Sequence, residues 1–460
     1  MKTINLLVLR WLWLSAITLF ISCDSFLEVE LPKTQLTAVV VFQDYHTAEA
    51  ALTDIYSNLR DSGILCGDGT GISNQLANYA DEMVSSENPS NPSISFYTNS
   101  LLPSNNYVTG YWNFGYHQIY AANAVIEGAE KSSLTALQKK QLRGEALFIR
   151  GLIHFYLVNL FGDIPFVDQT DFKINRTVKR IPTAQVYEKI IADLREASVL
   201  LRTSDTDRNR VRPDAIVAKA LLARTLLYIN AYPEAANEAS AVLNQVQTYS
   251  LEQPEKVFLR ASRETIWQLE SGGSGQNTAE GDYFIFTSAP PPYVSLSNSL
   301  VSSFSPGDLR KSSWIKGVSD GTTIWYHPYK YKENNPTAES KEYSIVLRLS
   351  EQYLIRAEAR AWQGDLIGAK EDLNKIRHRA ALTDTPALTQ KEILDAVFLE
   401  RKLELFTETG HRFFDLKRTG RLDAELGGMK KGWDSSDSLF PLPQNELSTN
   451  PNLRPQNPGY

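Results

Sequence analysis

Residues 134–165 of this chain read LTALQKKQLRGEALFIRGLIHFYLVNLFGDIP. The stretch ends in Gly162 and Pro165, two residue types that commonly terminate helices. Ahead of them apolar side chains recur every three or four residues, at Leu142, Ala146, Ile149, Ile153, Tyr156 and Leu160. Because this spacing keeps one face of a helix apolar, the stretch predicts one long helix over 134–160.

The same periodicity recurs on both sides of this stretch. It predicts further helices over 44–59, 183–201, 213–229, 234–246, 350–363, 367–379 and 391–409. Three long segments, 63–113, 270–342 and 421–460, show no sustained period and are rich in Gly, Ser, Asn, Pro and aromatic residues. Such long segments in a compact protein are usually functional loops or an inserted subdomain, and their aromatic content argues against the alternative of disorder.

Two of the predicted helix pairs resemble the tetratricopeptide repeat, in which small residues let antiparallel helices approach and large ones fill the groove to the next pair. The packing positions are Leu222, Ala223, Leu226, Tyr232, Ala235 and Ala239 in the first pair, and Ala357, Leu366, Ala369 and Leu373 in the second, with a turn at Gly364-Asp365. Because any helical hairpin needs alanine on its inner face, one pair alone would not indicate a repeat. The repeat assignment therefore depends on finding two such pairs. The expected fold is all-α, a tetratricopeptide-like helical-hairpin scaffold with a large irregular, loop-rich face.

The N-terminal segment predicts export. Lys2 and Arg10 precede an apolar run at 11–21 that is followed by Ser22-Cys23. A basic start, a short apolar core and a small residue before the cleavage site are typical of a signal peptide, here 1–22. The run is shorter than the ~20 residues of a membrane-spanning helix. A cysteine directly after the cut is what bacterial lipoprotein acylation requires, so Cys23 is predicted to be lipidated. A plain secretory signal with an incidental cysteine is the alternative.

Composition excludes several classes of protein. Once the signal peptide and Cys23 are set aside, Cys66 is the remaining cysteine, so neither an intramolecular disulfide nor a Cys-based zinc site can form. The formal net charge of -6 over 460 residues argues against a nucleic-acid partner.

The sequence offers little support for an enzyme. None of the six histidines has another at a spacing of three or four residues, so we expect no metal and no cofactor. Gly67-x-Gly69-x-Gly71 lacks the lysine of a phosphate loop, and Asp205-x-Asp207-x-Asn209 lacks the glycine and glutamate of a calcium loop. The adjacent carboxylates Asp81 and Glu82 suggest a glycosidase only weakly, because neighbours in sequence point in different directions.

Aromatic residues in the irregular segments give a stronger signal. Sugar rings present apolar C–H faces that stack on aromatic planes, while their hydroxyl groups seek Asp, Asn, Arg and Lys. On this chemistry the candidate ligand-binding residues are Asp81, Tyr97, Tyr283, Trp314, Trp325 and Tyr326. The alternative is that the rings only pin the loops to the scaffold by burial. Trp112, which we place just ahead of a helix, is assigned to the core.

Several blocks, spread over nearly the whole chain after the signal peptide, resemble the SusD/RagB family, the outer-membrane nutrient-binding lipoproteins of the Bacteroidota. The blocks are Ser22-Cys23-Asp24-Ser25-Phe26-Leu27, Arg143-Gly144-Glu145-Ala146, Asn159-Leu160-Phe161-Gly162-Asp163-Ile164-Pro165, Arg348-Leu349-Ser350-Glu351, Glu400-Arg401-Lys402-Leu403-Glu404-Leu405, Gly410-His411-Arg412-Phe413-Phe414-Asp415-Leu416 and Gln456-Asn457-Pro458-Gly459-Tyr460.

The resemblance implies a helical body whose loop-rich face binds an oligo- or polysaccharide without catalysis. It also implies a partner, a SusC-type TonB-dependent transporter, over which the lipoprotein sits as a lid, anchored to the outer membrane and facing the cell exterior. The matching regions are a SusD-like N-terminal region, 23–230, and a SusD/RagB C-terminal region, 231–460, expected to pack as one globular unit. The family's ligand residues form no motif, so none carries over. A peptide or a glycoprotein glycan is the alternative ligand, and a surface glycosidase the alternative activity.

Overall fold

The computed structural model of the protein describes residues 41–202 and 209–460. The signal peptide, Cys23 and the Asp205-x-Asp207 turn discussed above lie outside these ranges. The helices are α1 (Tyr45–Asp61), α2 (Ile72–Tyr79), α3 (Ile94–Tyr97), α4 (Asn106–Lys131), α5 (Ala136–Phe161), α6 (Phe172–Asn175), α7 (Thr183–Leu200), α8 (Ala215–Tyr228), α9 (Tyr232–Leu243), α10 (Ala279–Phe284), α11 (Asn298–Ser302), α12 (Leu309–Trp314), α13 (Leu349–Trp362), α14 (Leu366–Arg379), α15 (Gln390–Leu405), α16 (His411–Arg418), α17 (Leu422–Leu426) and α18 (Gln444–Thr449). The strands are β1 (Met83–Ser85), β2 (Thr265–Leu269), β3 (Val294–Leu296), β4 (Ile315–Ser319), β5 (Ile324–Pro328) and β6 (Ser344–Arg348).

The fold is mostly helical, and the predicted fold class is confirmed. Helix α5 lies at its centre, between α4 and α7, and is buried along nearly all of its length after Leu142. Its start is fixed by a capping box between Thr135 and Gln138, and it ends at Gly162, whose φ of +73° favours glycine. Within the described ranges α5 is the one helix long and apolar enough to cross a membrane, but its apolar window is wholly buried inside the protein.

Two packed helical hairpins lie beside this centre. The first consists of α8 and α9, the second of α13 and α14, and α9 packs directly against α13. The small residues that the repeat pattern singled out, among them Ala223, Ala239, Ala357 and Ala369, are all fully buried. They allow the close approach of helices that the pattern predicts.

Helix α4 is the longest helix that the sequence did not predict. It occupies 26 residues, of which the first eight fall in the segment expected to be irregular. Gly110 and Gly115 and several aromatic residues lower its intrinsic helix propensity. Burial compensates for this loss, because Trp112 and Tyr111 pack in the main hydrophobic core. Trp112 is therefore a core residue as predicted, although it lies inside a helix and not ahead of one.

The loop-rich face is built on short antiparallel strand pairs. Strand β1 pairs with β3, β2 with β6, and β4 with β5. The first and last pairs surround a second hydrophobic cluster that includes Trp314, Phe304 and Phe406. The long loops are thus held by a core of their own next to the helical scaffold.

Candidate functional site

A tight loop at residues 62–71 begins the candidate site. The Cys66 thiol donates to the Gly63 carbonyl oxygen at 3.0 Å, and the Asp68 carboxylate accepts from the Thr70 amide at 2.8 Å. Close packing here requires glycine, because a Cβ at Gly71 would lie 1.7 Å from the Cys66 carbonyl oxygen.

The loop brings Gly69 against an aromatic ring from a distant part of the chain. A Cβ at Gly69 would lie 2.4 Å from the ring of Tyr283, at the end of α10. Tyr283 and Tyr293 stack in parallel, with ring centroids 5.2 Å apart and an interplanar angle of 7°. Tyr293 is 44% exposed, so the pair presents a flat aromatic surface to solvent. We call Tyr283 and Tyr293 the tyrosine platform.

Polar side chains fix the platform in place. The Tyr283 hydroxyl donates to Glu87 Oε1 at 3.1 Å and accepts from Asn74 Nδ2 at 3.4 Å. Glu87 Oε2 accepts from Asn91 Nδ2 at 2.9 Å, and the Tyr107 hydroxyl donates to Asn91 Oδ1 at 3.4 Å. Burial and the neighbouring Glu87 carboxylate raise the pKa of both Tyr283 and Tyr107. Both hydroxyls therefore stay protonated and able to donate at neutral pH.

A groove of about 550 Å³ begins beside the same loop. This volume is within the range of about 300–1,000 Å³ that is typical of small-molecule sites. Its lining is rich in carboxylates, amides and a guanidinium, contributed by Arg60, Asp68, Gln276, Asn277, Asp282, Asn334 and Asn335. An aromatic plane next to closely spaced hydrogen-bonding groups suits a ligand with both apolar C–H faces and many hydroxyl groups.

The predicted residues Trp325 and Tyr326 lie on the β4–β5 hairpin. Strand β5 lies beside β3, which directly follows Tyr293 in the chain. Both side chains are half-buried. Tyr326 packs against the second hydrophobic cluster, while Trp325 faces Val318 across the hairpin. The hairpin therefore flanks the tyrosine platform.

The prediction that Asp81 and Trp314 bind ligand is wrong, because both side chains are buried. Asp81 is 2% exposed, and its carboxylate pairs with Arg412 at 2.7 Å and with Lys402 at 2.8 Å. Trp314 is fully buried, and its indole nitrogen donates to the Pro254 carbonyl oxygen at 2.7 Å. Neither side chain can reach a ligand from the interior, and both hold loops to the scaffold.

Tyr97 has no contact with the platform among those that the described residues show. Its half-buried ring contacts the Lys430 ammonium, 4.4 Å from the ring centroid. Of the six predicted residues, Tyr283 belongs to the platform and Trp325 and Tyr326 lie beside it.

Sequence reasoning missed several members of the site. Tyr293 and Tyr107 are aromatic residues of the irregular segments, but nothing in the sequence distinguishes them from their neighbours. Asn74, Glu87 and Asn91 carry no motif at all. Their role follows only from the contact between residues 69–91 and Tyr283, about two hundred positions away in the chain.

The described part of the chain shows no assembled metal site. Within residues 41–202 and 209–460, no three His, Cys, Asp or Glu side chains are grouped so that they could hold a metal ion.

Comparison with known proteins gives a consistent result. A family profile described as "Starch-binding associating with outer membrane" matches residues 25–227, and one described as "SusD family" matches residues 306–460. A SusD-like protein of Formosa agariphila is 29% identical over 417 residues, covering 77% of this chain and 81% of its own length.

Solved structures agree with this assignment. The fold is similar to that of a laminarin-binding SusD-like protein, with a TM-score of 0.76, 23% identity and coverage of 90% of this chain and 99% of the other. It is equally similar to the surface glycan-binding protein A of Bacteroides thetaiotaomicron, with a TM-score of 0.76, 19% identity and coverage of 91% and 100%. At these sequence identities, the solved structures are evidence for the fold alone. Sequence profiles, relatives and fold together show that the chain belongs to the SusD/RagB family.

Proposed function

We propose that this protein is a non-catalytic, glycan-binding lipoprotein of the cell surface, which captures oligo- or polysaccharide and delivers it to a SusC-type TonB-dependent transporter. The observation that carries the proposal is the tyrosine platform beside a groove lined with amides and carboxylates. Two fold relatives are named for laminarin and surface-glycan binding, and the N-terminal family profile is described by starch binding at the outer membrane. These names support a carbohydrate as the ligand class.

The N-terminal sequence and the family support the proposed membrane attachment and role in transport. Lipidation at Cys23 would anchor the protein at the outer membrane, and we place the platform on the exterior side. A binder without catalysis must pass its ligand on, and a transporter in the same membrane is the partner that the family implies. The anchor would then keep both proteins at high effective concentration.

The platform itself supports binding rather than hydrolysis. The carboxylate that the platform contacts, Glu87, already accepts hydrogen bonds from Tyr283 and Asn91, so it serves to position these side chains. A glycosidase needs a second carboxyl group that stays protonated as general acid. One observation favours this competing activity: burial raises the pKa of Glu280, which lies under Gly67 and accepts from the Ser344 hydroxyl at 2.7 Å.

Calorimetric titration tests the proposal. The soluble chain from Asp24 onward is titrated with laminarin, soluble starch and a panel of neutral hexasaccharides. We expect binding to at least one of them, and Tyr293→Ala should weaken it by about tenfold or more, a loss of about 1.4 kcal/mol. Tyr120→Ala is the matched control, because it removes a ring that is 49% exposed on α4, outside the site.

Other outcomes would overturn the proposal. Binding of peptides with no response to any glycan would favour the peptide alternative. Release of shorter products from a labelled oligosaccharide, abolished in Glu280→Gln, would establish the glycosidase.

A further inference from the structure

A second groove lies on the helical-hairpin side of the molecule, formed by α9, α13, α15 and α17. Its volume is about 790 Å³, again in the range of ligand sites. Its lining includes Tyr232, Trp362, Gln390, Asp395, Phe398 and Arg421. We call it the repeat groove, because it joins the two tetratricopeptide-like hairpins.

The repeat groove contains a second exposed pair of stacked rings. Tyr232 and Trp362 are nearly parallel, with centroids 5.4 Å apart and an interplanar angle of 13°. Trp362 is 46% exposed, close to the 44% of Tyr293 in the tyrosine platform. The Tyr232 hydroxyl donates to Asn230 Oδ1 at 2.8 Å, much as the Tyr283 hydroxyl is held by Glu87. Both pairs are therefore held in a fixed orientation and presented to solvent.

A purely structural role explains this arrangement poorly. The stack does join α9 to the end of α13, and it contributes to their packing. Tryptophans that serve the core of this protein are buried, as Trp267 and Trp314 are. Trp362 leaves about half of a large apolar side chain in water and so loses much of the stabilisation that burial would give. A smaller aliphatic residue at the end of α13 would lose less.

The charges of the repeat groove favour an uncharged ligand. Arg418 pairs with Glu358 at 2.5 Å, and Asp395 accepts from both Arg421 and Lys391 at 2.7 Å. Because cations and anions of the lining neutralise one another, no excess charge is left to attract an ionic partner. The Arg421 guanidinium also lies 4.2 Å from the centroid of the Phe398 ring, so a cation–π contact holds it in addition to its ion pair.

From these contacts we propose that the repeat groove is a second carbohydrate-binding subsite, which stacks a neutral oligosaccharide on Trp362 and hydrogen-bonds it through the paired polar side chains. The proposal deepens the proposed function and rests on it for the ligand class. A long polysaccharide that reaches both the tyrosine platform and the repeat groove binds more tightly than either site alone explains, since the second contact is intramolecular. A hexasaccharide gains no such advantage if it is too short to reach both.

Site-resolved nuclear magnetic resonance tests the subsite. The soluble chain is labelled with fluorotryptophan, and the Trp362 resonance is assigned by its loss in Trp362→Phe. It is titrated with laminarihexaose, maltohexaose, xylohexaose and mannohexaose. We expect the Trp362 resonance to shift with at least one hexasaccharide, and to shift equally in Tyr293→Ala, in which the tyrosine platform is disabled.

Affinity for the corresponding polysaccharide provides the second readout. Trp362→Ala should weaken polysaccharide binding by about tenfold or more, but leave hexasaccharide binding at the platform unchanged. Tyr120→Ala is again the exposed-ring control, and thermal melting confirms that each variant is folded.

The outcomes separate this inference from the proposed function. If hexasaccharide binding is lost in Tyr293→Ala and the Trp362 resonance never moves, the subsite does not exist and the proposed function stands. If Trp362 responds and Tyr293→Ala changes no affinity, the repeat groove is a site and the platform is not. A Trp362 response to peptides alone, or to nothing, overturns the inference.

Discussion

Glu404 illustrates how single buried charges hold this fold together. Its carboxylate is fully buried and pairs with Arg310 at 3.1 Å, with Arg348 at 2.5 Å and with Arg379. Burial alone would raise the pKa of Glu404, but the guanidinium groups of Arg379, Arg348 and Arg310 hold it well below its ordinary value. Glu404 therefore carries a negative charge at the point where three buried guanidinium groups meet, and its loss removes one charged partner from each of them.

We expect Glu404→Gln to lower the free energy of unfolding by about 3–5 kcal/mol, the usual cost of breaking a buried ion pair. Urea denaturation measures this difference. The control is Lys131→Ala, which removes a 78% exposed partner of Glu127 and should cost less than about 1 kcal/mol. Equal losses in the two variants would show that the buried network contributes no more than a surface pair.

The adjacent carboxyl groups Asp81 and Glu82 titrate in opposite directions. Burial and the charge of Asp81 raise the pKa of Glu82 to about 8. For Asp81 burial acts the same way, but hydrogen bonds and charges of Arg412 and Lys402 lower its pKa to about 2. Glu82 is thus neutral and Asp81 charged at neutral pH.

This predicts a distinct pH dependence for Glu82. Between pH 4.5, its ordinary pKa, and about 8, the folded protein keeps a proton that the unfolded chain has released. The contribution of Glu82 to the free energy of unfolding therefore falls as the pH rises through this window. In Glu82→Gln that decline is removed, so the variant should gain stability relative to the natural protein from pH 5 to pH 8. Parallel stability curves in urea denaturation at the two pH values would contradict this assignment.

At the residue scale, the sequence predicts which residue types form the candidate site better than it predicts which individual residues do. Tyr283 could be chosen from its aromatic character and its place in a long loop. Trp314 satisfied the same criteria and lies in the core, because the sequence does not show which side of a loop packs inward. Tyr293 becomes a site residue only through its stacking on Tyr283, which is a tertiary contact.

At the element scale, hydrophobic periodicity predicts most of the long scaffold helices. Helix α5 was expected over 134–160 and spans Ala136–Phe161, and α14 was expected over 367–379 and spans Leu366–Arg379. Helix α4 was missed because its glycines and aromatic residues obscure both propensity and period. The short strands were missed because strands of three to five residues are too short to show a clear period, and the β1–β3 and β2–β6 pairs also join distant segments.

The connection between α15 and α16 depends on a glycine that sequence periodicity cannot identify. Gly410 caps α16 with a φ of +78°, and a Cβ there would lie 2.3 Å from the buried Leu76. Gly420, after α16, has a φ of +66° but open space around it. Alanine at either position bears the left-handed backbone cost of about 1–2 kcal/mol.

We expect Gly410→Ala to be more destabilising than Gly420→Ala by about 1–3 kcal/mol, the usual cost of overpacking a core. Comparison of their urea denaturation midpoints isolates the contact with Leu76, since both share the backbone strain. If the two variants lose the same stability, Leu76 moves aside and α2 does not constrain the start of α16.

At the scale of the whole molecule, buried ion pairs cross the predicted boundary between regions 23–230 and 231–460. Arg224 makes a two-pronged pair with Glu351, with nitrogen–oxygen distances of 2.6 and 2.7 Å. Asp81 pairs with Arg412 near the other end of the chain. Because one partner without the other would leave a buried charge, we propose that the two regions fold as one unit.

In the whole molecule, the predicted lipid anchor and the binding sites have separate roles. Cys23 lies outside the described residues, and its predicted lipid acts through location and not through contact with the ligand. A tether limits the volume that the binder explores and so raises its concentration near a transporter in the same membrane. Affinity in solution and uptake by cells should therefore depend on different parts of the protein.

We expect Cys23→Ala in the full-length chain to leave glycan affinity unchanged and to impair growth of cells that use the glycan as their carbon source. The variant should also move from the membrane fraction to the soluble fraction, which immunoblotting of fractionated cells measures. Tyr293→Ala provides the reciprocal case, because it should stay in the membrane fraction and lose affinity. Normal growth of cells carrying Cys23→Ala would show that capture and delivery do not need the tether, and that the transporter holds this protein through protein contacts alone.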